Sequence, residues 1–237
     1  MKVDCFPFHN ETEMLMTRVE FLYNHVDQFI LVELDHTHSG QPKPYYSDQI
    51  HLPEKVLRVQ VKSPYTHHAQ SWQLERFQRD ILTEFIPAEA THIHHSDVDE
   101  IPNPEVFRLD IDQPLHLQQD LYYYTVNNYV EHFWNLPVIT PKLVQPSWMR
   151  HEPFPSIAPG GWHLSWFGTP QQRQNKLHNF AHRELDTPEA LDRITRALPQ
   201  DPWDRPIVFR HPDTPIPKSL YQCLVHHFDK KCIGEMG

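Results

Sequence analysis

The residues with the most chemical potential form one short run, His95-Ser96-Asp97-Val98-Asp99-Glu100-Ile101-Pro102. Two carboxylates one residue apart on a turn can share a hard divalent cation, and such a cation can hold a diphosphate. Spacing alone does not single them out, because Asp110 and Asp112 repeat it. Context does. Asp97 and Asp99 follow a strand-like run at 91–96, whereas Asp110 and Asp112 follow a polar, helix-like segment. Histidine is the other abundant ligand type, with 19 copies. His178 and His182 stand at i, i+4, which suits two zinc ligands on one helix. Asn179, however, occupies the position where an H-E-x-x-H hydrolase needs its glutamate, so the pair reads as a solvated face. His92 and His94 share one strand face and read as core or support. His36/His38, His67/His68 and His226/His227 have loop-like settings and no partner identifiable from sequence.

Other phosphate-binding devices are excluded by composition. The 237 residues include only 6 Gly against 23 Pro, while an average chain carries roughly 7% Gly. Neither G-x-G-x-x-G nor G-x-x-x-x-G-K-[ST] can be built, which argues against a P-loop NTPase and an ordinary dinucleotide-binding Rossmann domain. The formal charge is −10 with histidine neutral, and there are no Lys/Arg blocks, which argues against sequence-independent nucleic-acid binding. Protonation of all 19 His would bring the charge to −10 + 19 = +9, so electrostatics should swing strongly in acid. The longest apolar run, 29–32, is far short of a membrane span. No signal-peptide pattern opens the chain, and three Cys without C-x-x-C support no disulfide framework. A reducing cytoplasm is the simplest setting for such a chain.

These residues must be positioned by elements, and the first hundred residues alternate between two periodicities. Runs 2–6, 28–34, 56–61 and 91–96 read as strands; 28–34 (QFILVEL) is apolar enough to be buried on both faces. A helix is expected from an Asn10 cap with Glu13 as its capping-box partner to about residue 24, and another over 71–85. Strands alternating with helices imply a parallel sheet whose ligands lie beyond the carboxyl ends of its strands. That places 7–11, 33–43 and 97–100 at one edge. After Pro104 the pattern becomes mixed: an alternating strand at 115–126, short extended segments at 138–148, helices at 171–185 and 188–198, and a Pro-rich loop from 201 to 217.

Several longer strings carry a resemblance. DCFPFHNETEMLMTRVEFLYNHVDQFILVE, T-x-S-G-Q-P-K-P, Q-R-D, DVDEIP and GGWHLSWFG occur in that order between Asp4 and about Trp203. Together they resemble glycosyltransferase family 17. The resemblance implies a single α/β domain with a GT-A-like (Rossmann-like), mostly parallel sheet flanked by helices. Residues 1–103 would be the nucleotide-sugar-binding half and 104–237 a mixed acceptor-binding half. It also implies a UDP-sugar donor (UDP-GlcNAc in the animal members), a glycan acceptor, a divalent cation and inversion at the anomeric carbon. The membrane anchor and stem of the animal members have no counterpart here.

On that reading Mn²⁺ or Mg²⁺ would sit on Asp97 and Asp99 with His163 as third ligand, neutralising the leaving diphosphate. Trp162 and Trp166 are candidates for stacking on a sugar, Glu33 for accepting from uridine, and Lys43 and Arg79 for the diphosphate or for steadying acidic residues. Arg79 also stands one turn from Glu75, an ordinary helical pair. Inverting transfer needs a general base, and Glu152, Glu131 and Glu100 are candidates, Glu152 foremost. A nucleotidyltransferase, a non-catalytic carbohydrate-binding protein on the same fold and a zinc hydrolase are the alternatives.

Overall fold

β-Branched and aromatic runs become strands where both faces can be covered. The computed structural model describes residues 1–65, 71–210 and 216–235, with the side chains of 131–133 excepted. Four strands run parallel in the first half: β1 (Lys2–Phe8), β2 (Gln28–Leu34), β3 (Val56–Val61) and β4 (His92–His95), in the order β3-β2-β1-β4. Cys5 pairs with Ile30 on one side and His95 on the other, so the carboxyl ends of the strands share one edge. Helix α1 (Thr12–Leu22) links β1 to β2, and α2 (Ser71–Asp80) lies between β3 and β4.

The second half extends the same sheet. β8 (Val138–Thr140) runs antiparallel beside β4, followed outward by β6 (Leu115–Tyr123), β7 (Tyr129–Trp134) and β10 (Phe209–Arg210). β9 (Ser156–Ser165) lies parallel to β6 and antiparallel to β5 (Glu100–Pro102), so the strand after the acidic turn is stitched to the G-G-W-H segment. Both glycines of that segment are needed for this close approach. A Cβ on Gly160 would lie 2.6 Å from Gln118 N, and Gly161 has φ +139°. The Rossmann-like parallel half and the mixed second half are the GT-A-like arrangement that the resemblance implies.

Alternation along the strands separates two cores. Phe6, Phe8, Phe29 and Leu31 pack with Leu15, Val19 and Leu22 of α1 and with Leu220 and Leu224 of α6 (Lys218–His227). Val3, Cys5, Ile30 and Val32 fill the opposite face against Leu82 and Ile86. A third cluster sits under α4 (Pro170–Asn179) and α5 (Pro188–Thr195), around Tyr124, Trp166, Leu177 and Ile194.

Several expected boundaries move. The Asn10–Glu13 capping box does not form. Asn10 gives its carbonyl to Thr12 N, and Glu13 accepts from Gln172 Nε2 at 2.8 Å. A capping box exists instead at Thr169 and Gln172, opening α4. α2 tightens into a 3₁₀ turn at Ile81–Phe85, where Thr83 Oγ1 donates to the Asp80 carbonyl. α4 ends at Asn179. His178 then pairs with Asp186 and His182 with Glu184, each at 2.6 Å, so the two histidines share no site. The stretch expected to be extended contains a short helix, α3 (Pro146–Met149). Asp110 and Asp112 are exposed. Cys5, Cys223 and Cys232 are free thiols, and no helix among the described residues is long and apolar enough to cross a membrane.

Candidate functional site

The acidic turn is shaped from beneath by a buried arginine. Arg18 of α1 is fully buried and grips Asp4 of β1 with Nε at 2.8 Å and Nη2 at 2.6 Å. Its remaining N–H groups reach Ser96 Oγ and the carbonyls of Asp97, Val98 and Glu100. Burial opposes ionisation of Asp4, but Arg18 and then His94 outweigh it and hold the carboxyl below the usual range. One cation thus ties β1, α1, β4 and the 96–100 turn together.

The motif's two carboxylates face different cations. Asp97 Oδ1 meets Arg79 Nη1 at 2.5 Å and Oδ2 meets Arg150 Nη2 at 3.3 Å. Asp99, with its side chain 8% exposed, meets Lys176 Nζ of α4 at 2.8 Å, and its Oδ2 lies 3.7 Å from His163 Nε2. Burial would raise both acids, but Arg79 and Arg150 for Asp97, and Lys176 and His163 for Asp99, hold them well below the ordinary carboxylate range. Burial likewise works against the Lys176 cation, yet Asp99 and Glu11 leave its pKa raised.

The Q-R-D string of α2 is spent residue by residue on this edge. Gln78 donates to the carbonyls of Phe8 and Val32, at the ends of β1 and β2, and meets His38 at 2.6 Å. Arg79 holds Glu75 and Asp97. Asp80 accepts from Ser147 N and Oγ at 2.9 and 2.7 Å, fixing the short helix that delivers Arg150.

A cleft of about 480 Å³, including its open mouth, lies beside Asp99 beyond the end of β1. Asn10, Glu11, Glu13, Trp166, Arg173 and Lys176 contribute to its lining. Trp166 is held at φ +59°, unusual for a bulky residue, with Arg173 Nε donating to its carbonyl at 2.8 Å and Lys176 Nζ 5.4 Å from its ring centroid.

Other expected site residues are placed differently. Glu100 is fully buried, clasped by both Arg150 nitrogens, Asp97 N and Trp134 Nε1, so no proton acceptor is free there. Glu33 is also fully buried and accepts from Lys43 Nζ, Tyr46 N and Ser47 N at 2.5, 2.7 and 3.0 Å. Its bonds anchor the 43–47 segment rather than a uridine, and Lys43, 3% exposed, is the buried partner in that anchor. Trp162 is 8% exposed and packs edge-on against Phe21 in the main core, so it offers no stacking face. Arg79 pairs with Glu75 along the helix and holds Asp97, so its guanidinium is committed to acidic residues rather than free for a diphosphate. Glu152 is half-buried, its carbonyl accepts from His116 Nε2, and it is not among the residues lining the cleft. The side chain of Glu131 and the pair His67/His68 lie outside the described residues.

The three expected metal ligands do not converge: Asp97 turns to its two arginines. Asp99 and His163 do fit a divalent cation between them. His163 is 7% exposed, its Nδ1 has no hydrogen-bond partner among the described residues, and its Nε2 has only the long contact to Asp99. A buried imidazole without a normal hydrogen bond is rare unless something else engages it. Arg150 and Lys176 were not anticipated; they reach the motif from 53 and 77 residues away, which no local spacing marks.

Among solved structures, 4-diphosphocytidyl-2C-methyl-D-erythritolsynthase from Anaerococcus prevotii DSM 20548 is 8% identical, with 83% of this chain and 95% of that chain covered at TM-score 0.40. The glycosyltransferase GlyE of Streptococcus pneumoniae TIGR4 is 13% identical, with 62% and 34% covered at TM-score 0.31. Mouse xyloside xylosyltransferase 1 is 9% identical, with 64% and 68% covered at TM-score 0.25. No curated protein sequence matches significantly. The profile of Glycosyltransferase family 17 matches residues 2–196, a span that takes in the Arg18 hub, the acidic turn, Arg150, the G-G-W-H strand and Lys176. The motif strings, the strand-end cleft and this match agree, and the chain belongs to glycosyltransferase family 17.

Proposed function

We propose that this glycosyltransferase moves a sugar, GlcNAc by family resemblance, from a UDP-sugar to a glycan hydroxyl with inversion. The observation that carries the reading is the pairing of Asp99 with Lys176 in the cleft lining, with His163 Nε2 3.7 Å from Asp99 Oδ2. Asp99 and His163 would hold Mn²⁺ or Mg²⁺. When bound, that ion supplies positive charge opposite the diphosphate as the glycosidic bond breaks. Lys176 adds a fixed cation on the same side, and Trp166 and Leu164 give the cleft an apolar wall that excludes water.

Arg79 and Arg150 act indirectly. They keep Asp97 turned aside and the 97–100 turn rigid, so that Asp99 meets the donor without rearranging. The acceptor's proton requires a carboxylate within hydrogen-bond reach. Of the two glutamates lining the cleft, Glu11 spends Oε2 on the backbone N–H groups of His9 and Asn10, whereas Glu13 accepts one bond at Oε1. Glu13 therefore replaces Glu152 as the base we favour.

Thermal unfolding with a panel of UDP- and GDP-sugars, each with Mn²⁺ or with EDTA, tests the donor. Stabilisation by UDP-GlcNAc that EDTA removes supports the reading; stabilisation by GDP-sugars only overturns it.

A further inference from the structure

Helix α6 closes against α1, and at one end of their contact three ligand-type side chains converge. Glu20 Oε2 lies 2.8 Å from His226 Nδ1 and 2.7 Å from His227 Nε2. The three ligating atoms all fall within 4.8 Å of one another, and among the described residues this is the one such group of three His, Cys, Asp or Glu. Neighbouring residues on a helix point about 100° apart, yet these two imidazoles stack with centroids 4.5 Å apart and planes at 26°. They reach the same carboxylate oxygen by using opposite ring nitrogens. An exposed ion pair adds little stability, so holding two imidazoles on one oxygen is a poor way to fasten a surface helix. It is a good donor set for a borderline cation. Two imidazoles and one carboxylate are the His₂Glu ligands of an open zinc site, with water in the fourth position.

Access supports the same reading. The side chains of His226 and Glu20 are 68% and 42% exposed, which leaves an entry path, while His227 at 16% supplies a steadier inner ligand. We infer that Glu20, His226 and His227 bind a Zn²⁺-class cation that clips α6 to α1, as a site separate from the cleft. Glu20 stands seven residues beyond Glu13 on α1, about 10 Å along the helix from the cleft wall. His226 and His227 also lie outside the span that matches the family. The inference therefore stands or falls independently of the donor reading. Its consequence is mechanical. α1 carries Arg18 and Glu13, so a cation tying it to α6 would stiffen one wall of the cleft.

Tag-free, chelator-stripped full chain titrated with Zn²⁺ alone by calorimetry tests it. The expected result is one equivalent of Zn²⁺ at this site, beyond any taken up by Asp99 and His163, together with a rise in Tm, both lost in H226A/H227A and weakened at least tenfold in E20Q. Both should persist in H178A/H182A and in D99N. Absence of binding by the unsubstituted chain at millimolar Zn²⁺ would mean a hydrogen-bonded clamp only and overturns the inference, as does unchanged stoichiometry and affinity in H226A/H227A. Co²⁺ gives a second reading without any substitution. A tetrahedral visible spectrum displaced by Zn²⁺ supports the site, and an octahedral, aquo-like spectrum overturns it.

Discussion

Asp97 and Asp99 share a motif but not a task. Asp97 is committed to Arg79 and Arg150, and Asp99 to Lys176 and His163. Replacement of Lys176 by Ala removes a charge-assisted hydrogen bond of about 1.5–3 kcal/mol, roughly a 10- to 10²-fold effect. K176A should show that loss in kcat/KM and a lowered Tm as well, since Asp99 is left buried without the cation that holds it ionised. The glutamates separate in the same way. E13Q should lower kcat by roughly 10²–10⁴-fold, the range for a general base, while E152Q keeps transfer within a few-fold; the reverse ranking in a transfer assay would return the base to Glu152. At this scale the sequence was informative where chemistry is local: the D-x-D and Q-R-D strings can be read in place. It was silent on Arg150 and Lys176, because a guanidinium or ammonium finds a buried carboxylate through the tertiary fold. Trp162 shows the opposite limit, since an aromatic beside a motif looks alike whether it faces a sugar or Phe21.

Among the elements, α1 is the one on which the turn most depends. Arg18 fills one end of a buried ion pair and braces three carbonyls of the acidic turn. R18M would leave Asp4 buried without its cation, a loss of about 3–5 kcal/mol where one partner of such a pair is removed. Urea unfolding should report this, and the 96–100 turn should lose its amide-exchange protection first. The parallel strands were legible because 28–34 is a continuous apolar run and 56–61 carries Val56, Leu57, Val59 and Val61, with a helix before the first and after the second, and their observed bounds agree with that pattern. Short elements were not. α3 spans four residues fixed by Asp80 from another helix, and the 71–85 helix divides where Thr83 takes a carbonyl from the α-helical ladder. α6, whose Leu220, Cys223 and Leu224 stand at helical spacing, is held by Leu220 and Leu224 against α1.

For the whole molecule, the histidine count has a concrete consequence. His95 is 2% exposed and neither of its ring nitrogens has a hydrogen-bond partner among the described residues. Burial, reinforced by His94 and only partly opposed by Asp4, pushes its pKa down from 6.5 to about 3. Between those two values the unfolded chain binds the proton that the folded chain refuses. The stability His95 contributes is therefore complete above pH 6.5 and is lost progressively as pH falls towards 3. From pH 6.5 to pH 5 the loss is about 2 kcal/mol for this one group. Chemical denaturation across that range should show the decline, and H95L, which forfeits no hydrogen bond, should flatten it by a similar amount. The sequence anticipated an acid-sensitive charge, but only the fold distinguishes His95, sealed and neutral, from exposed histidines such as His226.

We propose that a UDP-sugar is activated at Asp99 and His163. The most direct test measures UDP release from UDP-GlcNAc by the unsubstituted chain, by D99N and by H163A, each with Mn²⁺ and with EDTA. Metal-dependent release should fall at least 10²-fold in D99N and clearly in H163A, with D99N remaining folded. Undiminished release by D99N, or equal release by the unsubstituted chain in Mn²⁺ and in EDTA, would contradict the proposal.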